Sequence, residues 1–271
     1  MASEDDRLAR DLAVEAGRRL VSLRRRGGDP DDLRKAGDRL SHEFLAAELA
    51  RLRPADRVLS EEGADDPARL TAGRVWIVDP LDGTREFGDV GRTDWAVHVA
   101  LWERAGPGHA GGPATPGNLT AGAVALPAQD EVLSTARPPR APDRPPRGRL
   151  RVVVSRTRPA AFLPRMAEFL AADLVPLGSA GAKVAAVLQG HADAYVHAGG
   201  QYEWDSAAPI AVARAGGFHA SRIDGRELSY NQADLLMPDI LVCPPVLVGP
   251  LLDAIRSAQS SEDGETGGGQ R

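Results

Sequence analysis

Leu8, Leu12, Leu20 and Leu23 recur near helical spacing among charged residues over 5–26. That pattern predicts an amphipathic helix with one buried face. Gly27-Gly28-Asp29-Pro30 then forms a strong breaker cluster. A second helix is predicted from about Asp38 to Arg51, with Leu40, Phe44, Leu45 and Leu49 inward and Asp38 as its N-cap. Beyond it the period changes. Arg57-Val58-Leu59-Ser60, Arg74-Val75-Trp76-Ile77-Val78, Trp95 to Trp102 and Ala121 to Leu126 are short apolar runs that read as buried strands. Residues 105 to 118, rich in glycine and proline, read as a surface loop.

Residues 137 to 149, RPPRAPDRPPRGR, lack apolar periodicity and read as a link between two lobes. The expected organisation is an N-terminal α+β lobe over 1–148, a C-terminal α/β lobe over 149–257, and a disordered tail over 258–271. In the second lobe, Leu150 to Val154, Ala192 to Val196 and Ile240 to Cys243 read as strands. Pro159 to Leu170, Ala180 to Leu188 and Ser206 to Ala215 read as helices, with Pro159 in a first turn and Gly216-Gly217 as a stop.

The chain has 33 basic and 38 acidic residues, a formal charge of −5. That balance argues against a polymeric nucleic-acid or membrane-surface partner, both of which need basic patches. One cysteine, Cys243, rules out an intrachain disulfide framework and gives a thiolate zinc site no support. No apolar run approaches the ~18–20 residues of a membrane span. The acidic start MASEDDRLARDL lacks an apolar signal core, so a cytoplasmic protein is expected. Only Lys35 and Lys183 are lysines. The arginine excess reads as coding bias toward GC-rich codons.

The informative segment is Val75-Trp-Ile-Val-Asp79-Pro80-Leu81-Asp82-Gly83-Thr84. A strand delivers Asp79 to its end, and Pro80 halts ladder pairing and stiffens the turn. A tight turn then aims Asp79 and Asp82 at one point. Gly83 admits a ligand to the backbone, and the amides of Gly83 and Thr84 open an anion site. Taken alone, the same residues also fit a solvated Asp-Pro turn. Glu61-Glu62 follows another strand, and Asp205 begins an apolar helix. Alone, these would be an acidic loop and a plain N-cap.

In this order and spacing, however, Glu61-Glu62, Asp79 to Thr84 and Trp204-Asp205-x-Ala-Ala resemble the signatures of the inositol monophosphatase superfamily. The resemblance spans about residues 8 to 257, and the combined motifs are highly specific. Within the superfamily, VLSEEGADD, RVWIVDPLDGTREF, DWAVHVALW, GSAGAKVAAVLQGHADAYVHAGGQYEWDSAAP and YNQADLLMPD are most similar to the CysQ-type 3′-phosphoadenosine 5′-phosphate phosphatases. The resemblance implies an α-β-α-β-α layered sandwich, two or three Mg²⁺ per site, lithium sensitivity, a small phosphorylated nucleotide or sugar phosphate as substrate, and a possible homodimer. It implies metal ligation by Glu61, Asp79, Asp82, Asp205 and the Leu81 carbonyl. It further implies a phosphate cradle at Gly83 and Thr84, and an Asp38–Thr84 pair that activates water beside Glu61. Glu62 is implied as a supporting acid at best, although it could exchange places with Glu61.

Elementary electrostatics agrees with such a set. Two carboxylates ~4 Å apart repel by roughly 4 kcal/mol at an effective dielectric near 20. A divalent cation removes that repulsion, and all-oxygen donors favour Mg²⁺ over zinc or copper.

Two departures stand out. The stretch before Asp38 lacks the threonine-rich pattern of many members, which leaves Lys35 as either a phosphate contact or a solvated side chain. Ser155-Arg156-Thr157-Arg158-Pro159 lacks the histidine common in nucleotide-acting relatives, while Ser155 and Arg156 remain as nucleotide contacts. Gly178-Ser179-Ala180-Gly181 fits a sugar contact and a helix-start turn equally well. His191, His197 and His219 lack metal spacing and read as structural. Trp76, Trp95, Trp102 and Trp204 read as core, and Cys243 as an inert buried thiol. The implied activity is removal of the 3′-phosphate, in sulfur assimilation. The alternatives are a broader inositol 1-phosphate or fructose 1,6-bisphosphate phosphatase and a non-catalytic nucleotide and metal sensor. A sensor is expected to have lost a ligand or the Asp38–Thr84 pair, and neither is lost.

Overall fold

The computed structural model describes residues 2–105 and 117–266, with side chains through Ser260. Two five-stranded sheets organise it. In the first, β1 (Arg57–Ser60), β2 (Arg74–Asp82), β3 (Ala96–Glu103), β4 (Asn118–Leu126) and β5 (Glu131–Ser134) lie in sequence order. Only the β1–β2 pair is parallel. In the second, β6 (Leu150–Ser155), β7 (Ala172–Leu177), β8 (Ala194–Tyr202), β9 (His219–Ser221) and β10 (Leu236–Cys243) run in the order β7-β6-β8-β10-β9. β6 pairs in parallel with β7 and β8, and β10 is antiparallel to β8 and β9.

The apolar run of β2 shows why the layers form. Trp76 and Val78 face a core shared with α1 (Glu4–Arg25) and α2 (Pro30–Leu52). Val75 and Ile77, on the opposite face, join the core around α5 (Ala180–Leu188) and α6 (Glu203–Ala215), which lie between the sheets. A strand buried on both faces reads as a continuous apolar run. The outer face of the second sheet is covered by α4 (Leu163–Leu170) and α7 (Val248–Thr266). The order is therefore α-β-α-β-α, as expected.

Several boundaries differ from expectation. Pro30 does not simply break the chain: it occupies the first turn of α2, with Asp29 as the N-cap accepting from the amides of Asp31 and Asp32. Asp38 therefore lies mid-helix rather than at a cap. Pro80 does not end β2. The strand runs on to Asp82 across a register shift between Asp79 and Asp82, and that bulge absorbs the missing donor. α4 begins at Leu163 instead of Pro159, with Pro164 in its first turn. β7 and β9 carry too few patterned residues to be read from sequence. Helix α7 continues through Thr266, and Ala258 is fully buried, so 258–266 is helical rather than a disordered tail. Residues 267–271 and most of the expected 105–118 loop lie outside the described residues. Residues 137–149 carry neither helix nor strand, and are tied down where the Ala141 amide donates to the Gly216 carbonyl.

Candidate active site

The bulged end of β2 places Asp79, Leu81 and Asp82 together, all three buried. Gly83 follows with φ 85°. A side chain there would be strained, and its Cβ would stand 3.1 Å from the Ser179 Cβ and 3.2 Å from the Asp94 carbonyl oxygen. Thr84 then opens α3 (Thr84–Gly88). From the middle layer, α6 presents Asp205 in its first turn, where the Tyr202 amide donates to its carboxylate at 2.6 Å. Single carboxylate oxygens of Asp79, Asp82 and Asp205 lie within 4.8 Å of one another.

Each acid has a distinct environment. Burial, followed by the charges of Glu61, Asp82 and Asp205, pushes Asp79 well above the carboxylate range. Burial and the facing Asp82 raise Asp205 to about 6. Glu61 lies on the solvent side of the group, beside Asp79. Loss of hydration and the charge of Asp205 raise it to about 7. Asp82 opposes the trend. Burial alone would raise it, but His98, Lys183 and Ser179 together hold it down at about 2. It accepts from the Ser179 hydroxyl at 2.6 Å and from the amides of Ala180 and Gly181 at 3.1 and 2.6 Å. Those amides open α5, so the helix dipole adds to the stabilisation.

Asp38 and Thr84 are also brought together. Thr84 Oγ1 stands 3.2 Å from Asp38 Oδ1 and 3.0 Å from the Leu81 carbonyl oxygen. The Leu81 amide in turn donates to Asp79 Oδ1 at 3.0 Å. Half-buried Asp38 is raised to about 6, mainly by burial and then by the charge of Glu62. One hydroxyl has a single proton, so it donates to one of its two neighbours at a time.

A cavity of about 420 Å³ opens beside these residues. Gly83, Thr84, Ser155, Gly178 and Ser179 line it, together with Asp82 and Asp205. Arg156 does not. Its guanidinium pairs with Glu86 instead. Lys35 is exposed, in keeping with a solvated side chain. Of the histidines, His197 lines the cavity although its sequence context suggested only a structural role. It is 4% exposed, and burial followed by the charges of Lys183 and Arg158 lowers it to about 4. Trp76, Trp95 and Trp102 are core residues as expected, whereas Trp204 is half-buried and stacks on exposed Tyr202.

Two residues missed in the sequence shape the site. Lys183 is buried in the cavity wall, its ammonium donating to the Gly178 carbonyl at 3.1 Å. Rarity alone was no signal, because the equally rare Lys35 is exposed. His98 lies inside the core with Nε2 3.2 Å from Asp82 Oδ2. It carried no signal, since its partner is a strand neighbour only after folding.

The donors fit a hard divalent cation. Asp79, Asp82, Asp205, Glu61 and the Leu81 carbonyl offer oxygen only, and the acids are raised by burial first and by mutual repulsion second, both of which a cation would offset. Four carboxylates converging without a cation would be costly in a structural role.

Comparison with known proteins agrees with this geometry. A sequence profile of the Inositol monophosphatase family matches residues 6–259. A 3′-phosphoadenosine 5′-phosphate phosphatase of Mycobacterium bovis is 50% identical over 255 residues, covering 89% of this chain and 91% of the relative. The 3′(2′),5′-bisphosphate nucleotidase CysQ of Escherichia coli is 32% identical, covering 72% and 78%. The crystal structure of CysQ from Bacteroides thetaiotaomicron superposes with a TM-score of 0.72 at 26% identity, covering 87% of this chain and 95% of that one. With its signature residues gathered in one cleft and its layers in the same order, the chain belongs to the inositol monophosphatase family.

Proposed function

We infer that this protein is a metal-dependent phosphatase that removes the 3′-phosphate of 3′-phosphoadenosine 5′-phosphate, giving AMP and inorganic phosphate. The observation that carries the hydrolytic reading is the Thr84–Asp38 pair beside the cluster of Asp79, Asp82 and Asp205. The relatives at 50% and 32% identity, named for this nucleotide class, carry the choice of substrate.

Asp79, Asp82, Asp205, Glu61 and the Leu81 carbonyl would hold Mg²⁺, which supplies Lewis acidity and lowers the pKa of bound water. Asp38, with Thr84 as relay, takes the proton from the attacking water. The water oxygen forms the new P–O bond while the bond between phosphorus and the 3′ oxygen breaks, and the 3′ oxygen leaves as a hydroxyl after taking a proton from solvent water in the open cavity. The amides of Gly83 and Thr84 hold the phosphoryl oxygens. Ser155, Gly178 and Ser179 face the leaving nucleoside from the cavity wall. No side-chain phosphoester is required. The same reading places the enzyme in the cytoplasm, serving sulfur assimilation, with lithium as an inhibitor.

The decisive assay measures phosphate release from 3′-phosphoadenosine 5′-phosphate, inositol 1-phosphate and fructose 1,6-bisphosphate side by side, with Mg²⁺ and with lithium added. A kcat/KM for the nucleotide at least ~100-fold above the others, about 2.7 kcal/mol of discrimination, establishes the nucleotidase. Equal rates make it a broad sugar-phosphate phosphatase. Near wild-type activity in Asp82→Asn overturns the metal-ligand assignment.

A further inference from the structure

Arg69 is an arginine buried to 1% exposure, outside the cavity. It sits in a short 3-10 turn, Pro67–Thr71, between β1 and β2. All three nitrogens of its guanidinium donate hydrogen bonds. Nε donates to Asp65 Oδ1 at 2.6 Å and Nη2 to Asp65 Oδ2 at 3.1 Å. Nη1 donates to Asn231 Oδ1 at 2.8 Å, and Nη2 also to the Gln232 carbonyl at 2.9 Å. The Asn231 side-chain amide returns a hydrogen bond to the Arg69 carbonyl at 3.1 Å. These contacts join segments 162 residues apart.

The far side of this knot is a helix start. Asn231 has φ 59°, and its amide and that of Gln232 donate to the two oxygens of Glu203, at 2.6 and 2.7 Å. Glu203, itself 1% exposed, is the first residue of α6, two positions before Asp205. The near side is anchored at Asp65, four positions after Glu61. A continuous chain of hydrogen bonds thus runs from the loop after Glu61, through Arg69 and the Asn231 turn, to the helix end that presents Asp205.

We propose that Arg69 is a positioning residue for the metal-binding carboxylates, clamping the loop that follows Glu61 to the helix start that carries Asp205. The proposal rests on the phosphatase reading of the site. A planar fork with five donors can serve Asp65, Asn231 and Gln232 at once, whereas a lysine ammonium cannot span them. Without the clamp, Glu61 and Asp205 still lie on their own elements, but their separation is no longer fixed. Repelling carboxylates then relax apart and must be drawn back by the cation, which weakens binding.

The test is calorimetric titration of the metal-free protein with Mn²⁺, together with Mg²⁺-dependent steady-state kinetics, on the full chain. Arg69→Met removes the guanidinium. Asn231→Gly keeps the positive φ and the amide that serves Glu203, but deletes both side-chain bonds between Asn231 and Arg69 and leaves only the one to the Gln232 carbonyl, so it weakens the clamp in a way that tests it even if Arg69→Met does not fold. Leu251→Ala, on the buried face of α7, controls for general destabilisation. We expect Asn231→Gly and Arg69→Met to raise the Mn²⁺ Kd and the Mg²⁺ activation constant about tenfold. At saturating metal, kcat should return to within a few-fold of wild type. The double variant should be no weaker than the weaker-binding single variant. Leu251→Ala should lower Tm without moving the Kd. An unchanged metal Kd in folded Asn231→Gly overturns the proposal. If wild type itself fails to bind the cation or release phosphate, the phosphatase reading fails instead.

Discussion

His98 links the two halves of the candidate site. Its Nε2 lies 3.2 Å from Asp82 Oδ2, and its Nδ1 lies 3.2 Å from the carbonyl oxygen of Trp204, next to Asp205. Gly181 makes the arrangement possible, because a Cβ there would stand 2.1 Å from His98 Nε2. Gly181→Ala should therefore displace the imidazole and destabilise the protein by about 1–3 kcal/mol, the usual range for overpacking. His98→Ala should cost about 1–3 kcal/mol by removing a partner of a buried carboxylate. Because the two changes share one contact, combining them should relieve the clash. Denaturant unfolding of both singles and the double checks this. A double variant whose loss equals the sum of the singles would show that Gly181 and His98 are not coupled.

Thr84 connects Asp38 to the turn that carries Asp82, and its hydroxyl alone bridges them. Thr84→Val keeps the shape and removes the relay, and Asp38→Asn removes its proton acceptor. Each should lower kcat by about 10²–10⁴-fold, the range for a positioned acid-base group. Metal binding should stay within a few-fold of wild type, since neither side chain belongs to the carboxylate cluster. Rapid single-turnover assays at saturating Mg²⁺ separate the two effects. Full kcat in Thr84→Val would remove the relay from the mechanism.

Glu61, Asp79, Asp82 and Asp205 stand out in the sequence because their order and spacing resemble a family's signatures; each motif alone fits an acidic loop, a solvated turn or an N-cap equally well. Asp38 was recognised only through resemblance. On local rules it looked like a cap after Gly37, because the true cap, Asp29, lay inside a cluster that resembled a break. His98 and Arg69 were silent, since their partners stand 16 and 162 positions away. Such a residue looks like any strand histidine or surface arginine until the sheets are stacked. The strand β7 was hidden because it lies at a sheet edge, mostly unburied, and carries Pro176. The layered order is implied by the resemblance, and the runs around Ile77 and Val99, buried on both faces, accord with a doubly covered sheet.

Cys243 offers an independent probe of the second sheet. It is fully buried on β10, and burial raises its thiol to about 12. At neutral pH almost no thiolate forms, and a reagent has no path to it. A chromogenic disulfide should label less than a tenth of the native protein within minutes and one thiol per chain in denaturant. Slow native labelling should follow the opening rate of the fold. Rapid stoichiometric labelling of the native protein would contradict the packing of β10 between the central helices and α7.

The raised acids make a signed prediction for the metal-free protein. Asp79 lies well above its ordinary value, Glu61 near 7 and Asp205 near 6. The folded state therefore holds more protons than the unfolded chain between about pH 4 and 7. Stability falls as pH rises wherever the native state binds more protons. Their contribution is greatest in acid and is lost through that interval. Asp82, held near 2, acts oppositely only below about pH 4, and buried His197, lowered to about 4, opposes the acids in part up to about pH 6.5. With metal chelated, Tm should thus decline from pH 5 to pH 8. A divalent cation competes with those protons, so added Mg²⁺ should raise Tm strongly at pH 8 and weakly at pH 5. At ~100 times its Kd the stabilisation is about 2.7 kcal/mol, or roughly 5–10 °C for a chain of this size. Differential scanning fluorimetry with chelator and with Mg²⁺ at both pH values measures all four conditions. A Mg²⁺ shift as large at pH 5 as at pH 8 would mean that the cation does not bind at these carboxylates, because protonation there must compete with it.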